Sequence, residues 1–171
     1  MNNTLRFLKV FALGTWVGSI IYFSGVVAQG AFAVLSRDQA GALVGYTLSG
    51  LHWMGIIAAA IFLGASVALA RSSRNANRDA NGAPKALVRP AALGVILMLI
   101  LTLASQRIVI PRMDVLRSQM NAQMGSVDAT PASNPARAEF DRLHAVSVDL
   151  EVAVLLLGLV SLFLTAKEKH A

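Results

Sequence analysis

Few residues in this sequence have side chains suited to chemistry, and most of them stand inside apolar runs. Tyr22, Gln29, His52, Gln106, Arg107, Asp149 and Glu151 all do, with His144 and Ser147 at the edge of one. An ionisable side chain in hydrocarbon costs at least about 2.5 kcal/mol, so it turns toward protein or water. These nine residues are therefore the candidate intramembrane polar cluster. Glu151 is the candidate proton-coupling acid. His52 and His144 are weak candidates for metal or haem ligation, the usual uses of imidazole besides proton transfer. Each also has a plainer reading. His52 beside Trp53 can be a core histidine bonded to one hydroxyl, Glu151 a structural tie to Arg107, and His144 an interfacial side chain. Asp149 lies two residues from Glu151 and points elsewhere on its helix, with Arg107 as its expected partner.

Other chemistries lack their residues. The chain has no cysteine, which excludes disulfides, thiolate metal sites and a cysteine nucleophile. It has no HExxH pair, no phosphate-binding glycine loop and no supported Ser/His/Asp constellation. An enzyme is therefore not expected, and no cofactor is required.

The elements that must position these residues are membrane helices. Of 171 residues 56% are hydrophobic and only 14% charged, with a mean hydropathy of +0.61. A soluble domain carries about a quarter charged residues. The apolar residues fall into four blocks, roughly 7–35, 42–70, 87–110 and 145–166. Each meets the roughly 20 residues a spanning helix needs. A signal peptide is the alternative for the first block, but its apolar stretch exceeds the usual h-region. The expected fold is all-α, a single-domain integral membrane four-helix bundle over residues 1–171.

The net charge of +6 belongs to the flanks of these blocks and not to a nucleic-acid face. The connection 71–89 holds Arg71, Arg74, Arg78, Lys85 and Arg89 against Asp79, and the tail carries Lys167 and Lys169. The positive-inside rule places this loop and both termini in the cytoplasm of a bacterial inner membrane. The short first connection and the 111–144 connection then face outward. Residues from Pro111 read as a helix leaving the membrane. Gly125 to Asn134 reads as a loop, and Asn134–Pro135 as a capped helix start.

Helical spacing collects the polar and small residues into stripes. Gly14, Gly18, Tyr22, Gly25 and Gln29 share one; Gly41, Gly45, Ser49 and His52 another; His144, Ser147, Glu151, Gly158 and Ser161 a third. The glycines Gly14, Gly18, Gly25, Gly41, Gly45 and Gly158 are expected to serve close helix packing, within the chain or in a dimer. If the stripes of the second and fourth blocks face each other, His52 and Glu151 meet in the outer half of the membrane.

Two segments resemble the transmembrane protein 205-like family, small four-span membrane proteins built on a domain of unknown function. The first is Trp16-Val17-Gly18-Ser19 through Phe32-Ala33-Val34-Leu35 to Gly41. The second is Phe140-Asp141-Arg142-Leu143-His144-Ala145-Val146-Ser147, followed by Leu157-Gly158-Leu159. The resemblance implies four spans, a bacterial membrane home and, as family-site residues, Trp16, Gly18, Arg107, Asp114, His144 and Ser147. The sequence departs from that pattern at Gln29, where a proline usually follows the alanine, and at Glu151, where an asparagine is expected.

Three functional readings follow. One is small-solute or metal handling, which four spans would perform as a homo-oligomer. Another is a haem- or metal-binding membrane subunit. The third is a structural or assembly subunit held by a membrane partner. Lipid is the one partner common to all three.

Overall fold

The computed structural model describes residues 2–76 and 89–167. Four long helices account for nearly all of them: α1 (Asn2–Val34), α2 (Arg37–Ala76), α3 (Pro90–Met124) and α4 (Pro135–Lys167). No strand occurs among the described residues. Each helix is long and apolar enough to cross a membrane. Successive helices pack side by side and α4 closes on α1, giving a square antiparallel membrane bundle. One end carries Asn2 and Lys167, the first and last described residues. The other, the connection end, carries residues 35–36 and 125–134.

Local chemistry explains the helix boundaries. Ser36 caps α2: its hydroxyl accepts from the Gln39 amide at 3.5 Å and donates to the Gln39 side chain at 3.1 Å. Asn134 caps α4, its side-chain oxygen accepting from the Ala136 amide at 2.9 Å, with Pro135 in the first turn. Gly125 ends α3 at φ 82°, the left-handed conformation that glycine adopts without strain.

The helices outrun the apolar blocks. α2 continues past Ala70 to Ala76, so the second connection is shorter than 71–89. Arg78, Asp79 and Lys85 of that connection lie outside the described residues, as does Lys169. α3 runs through Pro111 without a break. Residues 105–109 form a π-helical stretch in which the Ile110 amide bonds the Ser105 carbonyl, five residues back. That wider turn makes room for a proline ring, which would otherwise clash with a carbonyl one turn earlier. α1 carries a second π stretch at Phe23–Ala28.

Two apolar clusters fill the bundle. The larger lies toward the termini, around Leu13, Trp16, Ile20, Phe62, Val95, Met98 and Val154. The smaller joins Leu116, Met120, Val127 and Phe140, where the α3 extension docks on the start of α4. Arg112 clamps that docking with a two-pronged bond to Glu139 at 2.7 and 2.9 Å. This bond holds the Glu139 carboxyl below its usual range. At the terminus end Lys9 is buried, with its ammonium 4.9 Å from the centre of the Phe62 ring.

Lipid supplies no hydrophobic drive between helices, so close approach must come from small residues. The glycines that provide it differ from those expected. A side chain at Gly55 would strike the Trp16 indole, and one at Gly94 would strike Ser161. At Gly158 a Cβ would lie 2.6 Å from Val17 and 3.0 Å from Met98. By contrast Gly14, Gly18, Gly25 and Gly45 have nothing within 4 Å. Within this chain a side chain at any of these four would meet open space. α1 turns Leu13, Trp16, Val17 and Ile20 inward, which leaves Gly14 and Gly18 on its flank.

Candidate functional site

Between the two apolar clusters lies a polar layer built by four side chains from three helices. His52 of α2 is 2% exposed, yet both its ring nitrogens are engaged. Nδ1 donates to the Gln106 side-chain oxygen of α3 at 2.9 Å. Nε2 makes a very short contact with the Glu151 carboxyl of α4. Gln106 then donates through its amide to the Ser49 hydroxyl at 2.9 Å. The chain Ser49–Gln106–His52–Glu151 thus ties α2, α3 and α4 together near the middle of each helix. Next to it the Ser105 hydroxyl is buried without a hydrogen-bond partner.

The pattern of donors constrains the protons. Gln106 presents its carbonyl to Nδ1, so that nitrogen carries hydrogen. Nε2 and the carboxyl then share one further proton. It can sit on the carboxyl, giving two neutral groups, or on the ring, giving an imidazolium–carboxylate pair. Both forms are neutral overall, which suits a low-dielectric interior. Adding or removing one proton creates a net charge there.

Glu151 also faces a cavity of about 690 Å³ that extends from the polar layer to the connection end. Ligand sites are commonly about 300–1,000 Å³. Each helix contributes one stripe to its wall. α2 gives Gly41, Gly45 and Leu48; α3 gives Ile110, Met113 and Arg117; α4 gives His144, Ser147 and Glu151; α1 gives Ile20, Ala28 and Phe32. Gly41 and Gly45 therefore shape this wall. Gly41 admits Arg117, whose guanidinium would be 3.1 Å from a Cβ there. The same guanidinium lies over the Phe140 ring, its carbon 5.6 Å from the ring centre.

The remaining candidates are spread differently. His144 and Ser147 line the cavity; Ser147 is buried and bonds its hydroxyl back to the His144 carbonyl at 2.8 Å. Tyr22 is 61% exposed, and Gln29 and Asp149 are also exposed on the bundle's outer surface. Arg107 faces outward too and forms no ion pair with Asp149 or with Glu151. Gln106 and Arg107 are neighbours, roughly 100° apart around the helix, so only one of them can turn inward. Both ring nitrogens of His52 are taken up by Gln106 and Glu151, while His144 lines the cavity. Among the described residues no group of three or more His, Asp or Glu is placed to hold a metal ion. Sequence reasoning missed Ser49 as a network member and Arg117 and Asp38 as cavity residues. The stripes held the signal, since Ser49 lies three residues from His52 and Arg117 lies on the stripe through Gln106, Ile110 and Met113.

The family model for the domain of unknown function DUF4149 matches residues 11–122. This chain belongs to that family. The DUF4149 match covers the first three spans and most of the α3 extension. It therefore includes His52, Gln106, Gly41 and Arg117, and stops short of His144 and Glu151. No curated protein and no solved structure matches the chain.

Proposed function

We propose that this DUF4149 protein handles a small solute at the cavity between its spans, with the His52–Glu151 pair coupling occupancy to a proton. One observation carries the reading: the cavity floor is a carboxyl bonded to a fully buried imidazole, inside a bundle long enough to cross a membrane. A solute group that meets Glu151 competes with His52 for the shared proton. A cationic group favours loss of that proton, leaving a carboxylate beside a neutral ring, and an anionic one favours a second proton, giving a neutral carboxyl beside a charged ring. Either change alters the number of protons the pair holds, so occupancy is linked to proton release or uptake.

The basic flanks support an inner-membrane placement with both termini in the cytoplasm. The cavity then opens on the non-cytoplasmic side. A second copy or another membrane subunit is expected to complete the transport path, since four helices enclose no continuous pore. More finely, we group the chain with the transmembrane protein 205-like proteins on the two segments quoted above, of which residues 16–41 lie within the matched range.

The test uses proteoliposomes loaded with a pH-sensitive dye and challenged with a panel of small amines and carboxylic acids. The expected result is a protein-dependent pH change for at least one class, abolished by Glu151→Gln in a protein that still folds. Flux that is unchanged in that variant refutes the proton-coupled reading.

A further inference from the structure

The mouth of the cavity says what class of molecule it takes. Three charges of mixed sign stand there without an ionic partner among the described residues: the half-buried Arg117 and Asp38, and the more exposed Asp114. Arg117 lies against Gly41 of α2 and over Phe140 of α4. Asp38 stands one helical turn before Gly41, on the same face of α2. Both line the same cavity, yet they do not form a salt bridge with each other. The other arginines at the mouth are already engaged. Arg37 faces Asp128 at 3.9 Å, and Arg137 bonds Asp141 at 3.0 Å.

Apart from the α4 stripe of His144, Ser147 and Glu151, the walls below these charges are mostly apolar, and they open sideways. The first part of α1, to Tyr22, packs on both α2 and α4, but beyond it α1 packs chiefly on α2. The α1 and α4 surfaces flanking the resulting gap are apolar. Phe32 on one side and Val152 on the other are each 50% exposed, although both line the cavity. In a membrane that gap faces lipid chains.

We infer that the cavity binds a phospholipid bearing an amine in its headgroup, admitted sideways between α1 and α4. Arg117 takes the phosphate, and guanidinium suits it because its fork of donors matches phosphate oxygens. Asp38 takes the ammonium. One acyl chain lies along the apolar wall and the other stays in the bilayer. This inference rests on the cavity being the functional site. It names the occupant, and the mixed charge at the mouth favours a zwitterionic head over a purely anionic one.

The test measures lipid binding to the detergent-solubilised full chain by native mass spectrometry and by calorimetry. The probes are lysophosphatidylethanolamine, lysophosphatidylglycerol, free phosphoethanolamine and inorganic phosphate. The wild type is expected to bind one lysophosphatidylethanolamine, about tenfold more tightly than lysophosphatidylglycerol, the scale of one charge-assisted contact. Asp38→Asn should erase that preference. Arg117→Gln should weaken both lipids about tenfold, with Arg117→Lys partly restoring them. Gly41→Ala keeps every charge but displaces the Arg117 guanidinium, so it should weaken both lipids as well. Arg107→Gln, outside the cavity, controls for folding.

Equal affinity for the two lipids in the wild type overturns the inference, as does affinity unaffected by all three cavity variants. Free phosphoethanolamine binding as tightly as the lysolipid overturns it in favour of a water-soluble solute. The proton reading fails separately. Headgroup preference that depends on Arg117 and Asp38, beside unchanged flux in Glu151→Gln, upholds the lipid and refutes the coupling. Flux lost in Glu151→Gln with no headgroup preference does the reverse.

Discussion

Replacing Glu151 tests whether the polar layer holds the bundle together. In Glu151→Ala the imidazole Nε2 of His52 loses its partner while remaining 2% exposed. Leaving a buried polar group unsatisfied costs about 1–3 kcal/mol. Breaking a fully buried ion pair would cost about 3–5 kcal/mol. The lower range applies because the Glu151 side chain is 13% exposed and opens onto the cavity, so water or lipid refills its place without an empty void. Glu151→Gln keeps a donor for Nε2 at nearly the same volume, and its expected cost is below about 1 kcal/mol. A gap of 1–2 kcal/mol between the two variants is a factor of about 5–30 in the folded-to-unfolded ratio. Reversible unfolding in mixed micelles resolves it. A double-mutant cycle of Glu151→Ala with Gln106→Ala should give a coupling of about 0.5–3 kcal/mol, because both lean on one imidazole. Equal stabilities for the alanine and glutamine variants, or a coupling of zero, would show that the Ser49–Gln106–His52–Glu151 chain contributes nothing to holding α2, α3 and α4.

Other parts of the fold make independent predictions. Gly158→Ala should destabilise by about 1–3 kcal/mol through overpacking against Val17 and Met98, whereas Gly18→Ala, with open space around it, should stay within about 0.5 kcal/mol; unfolding of the two variants side by side checks the contrast. Asn134→Ala should weaken the start of α4 by about 1 kcal/mol, read as faster amide exchange over residues 135–138. The docking of the α3 extension should loosen in acid. Glu139 is held below its usual range by Arg112, so the stabilisation is present above the unfolded carboxyl's range and fades as pH falls through the folded one. Amide exchange over 112–120, followed from neutral to acidic pH, should show that loosening in the wild type and not in Glu139→Gln.

Much of this architecture was legible from residue order. Four apolar blocks with charged flanks leave a chain few alternatives to four spanning helices. Asn134–Pro135 and Gly125 mark their boundaries because capping is a local property of two or three residues. The glycines were less legible for a geometric reason. Gly14 and Gly18 have the spacing of a packing motif, but the face a helix buries is set by its largest apolar side chains. Leu13, Trp16 and Ile20 fix that face one step away. Gly55 and Gly94 carry no motif, yet they sit opposite Trp16 and Ser161, and nothing in the local sequence of α2 or α3 says so.

The site divides the same way. Periodicity placed His52 and Glu151 on polar stripes of α2 and α4, since spacings of three and four residues hold for any helix, but that the two stripes face each other is visible only in the packed bundle. α3 was ambiguous because Gln106 and Arg107 are adjacent and both polar. Which one turns inward depends on the phase of the helix, and Pro111 disturbs that phase. The wide turn at 105–109 that accommodates the proline keeps Ser105 and Val109 buried and sets Gln106 against His52. Arg107 is thereby sent outward, away from both Asp149 and Glu151. Had Arg107 turned inward instead, its permanent charge would have replaced the amide and fixed Glu151 as a carboxylate. An amide at that position supplies one acceptor to the imidazole and no net charge. On the proposed reading, that leaves the proton shared by His52 and Glu151 able to respond to whatever fills the cavity.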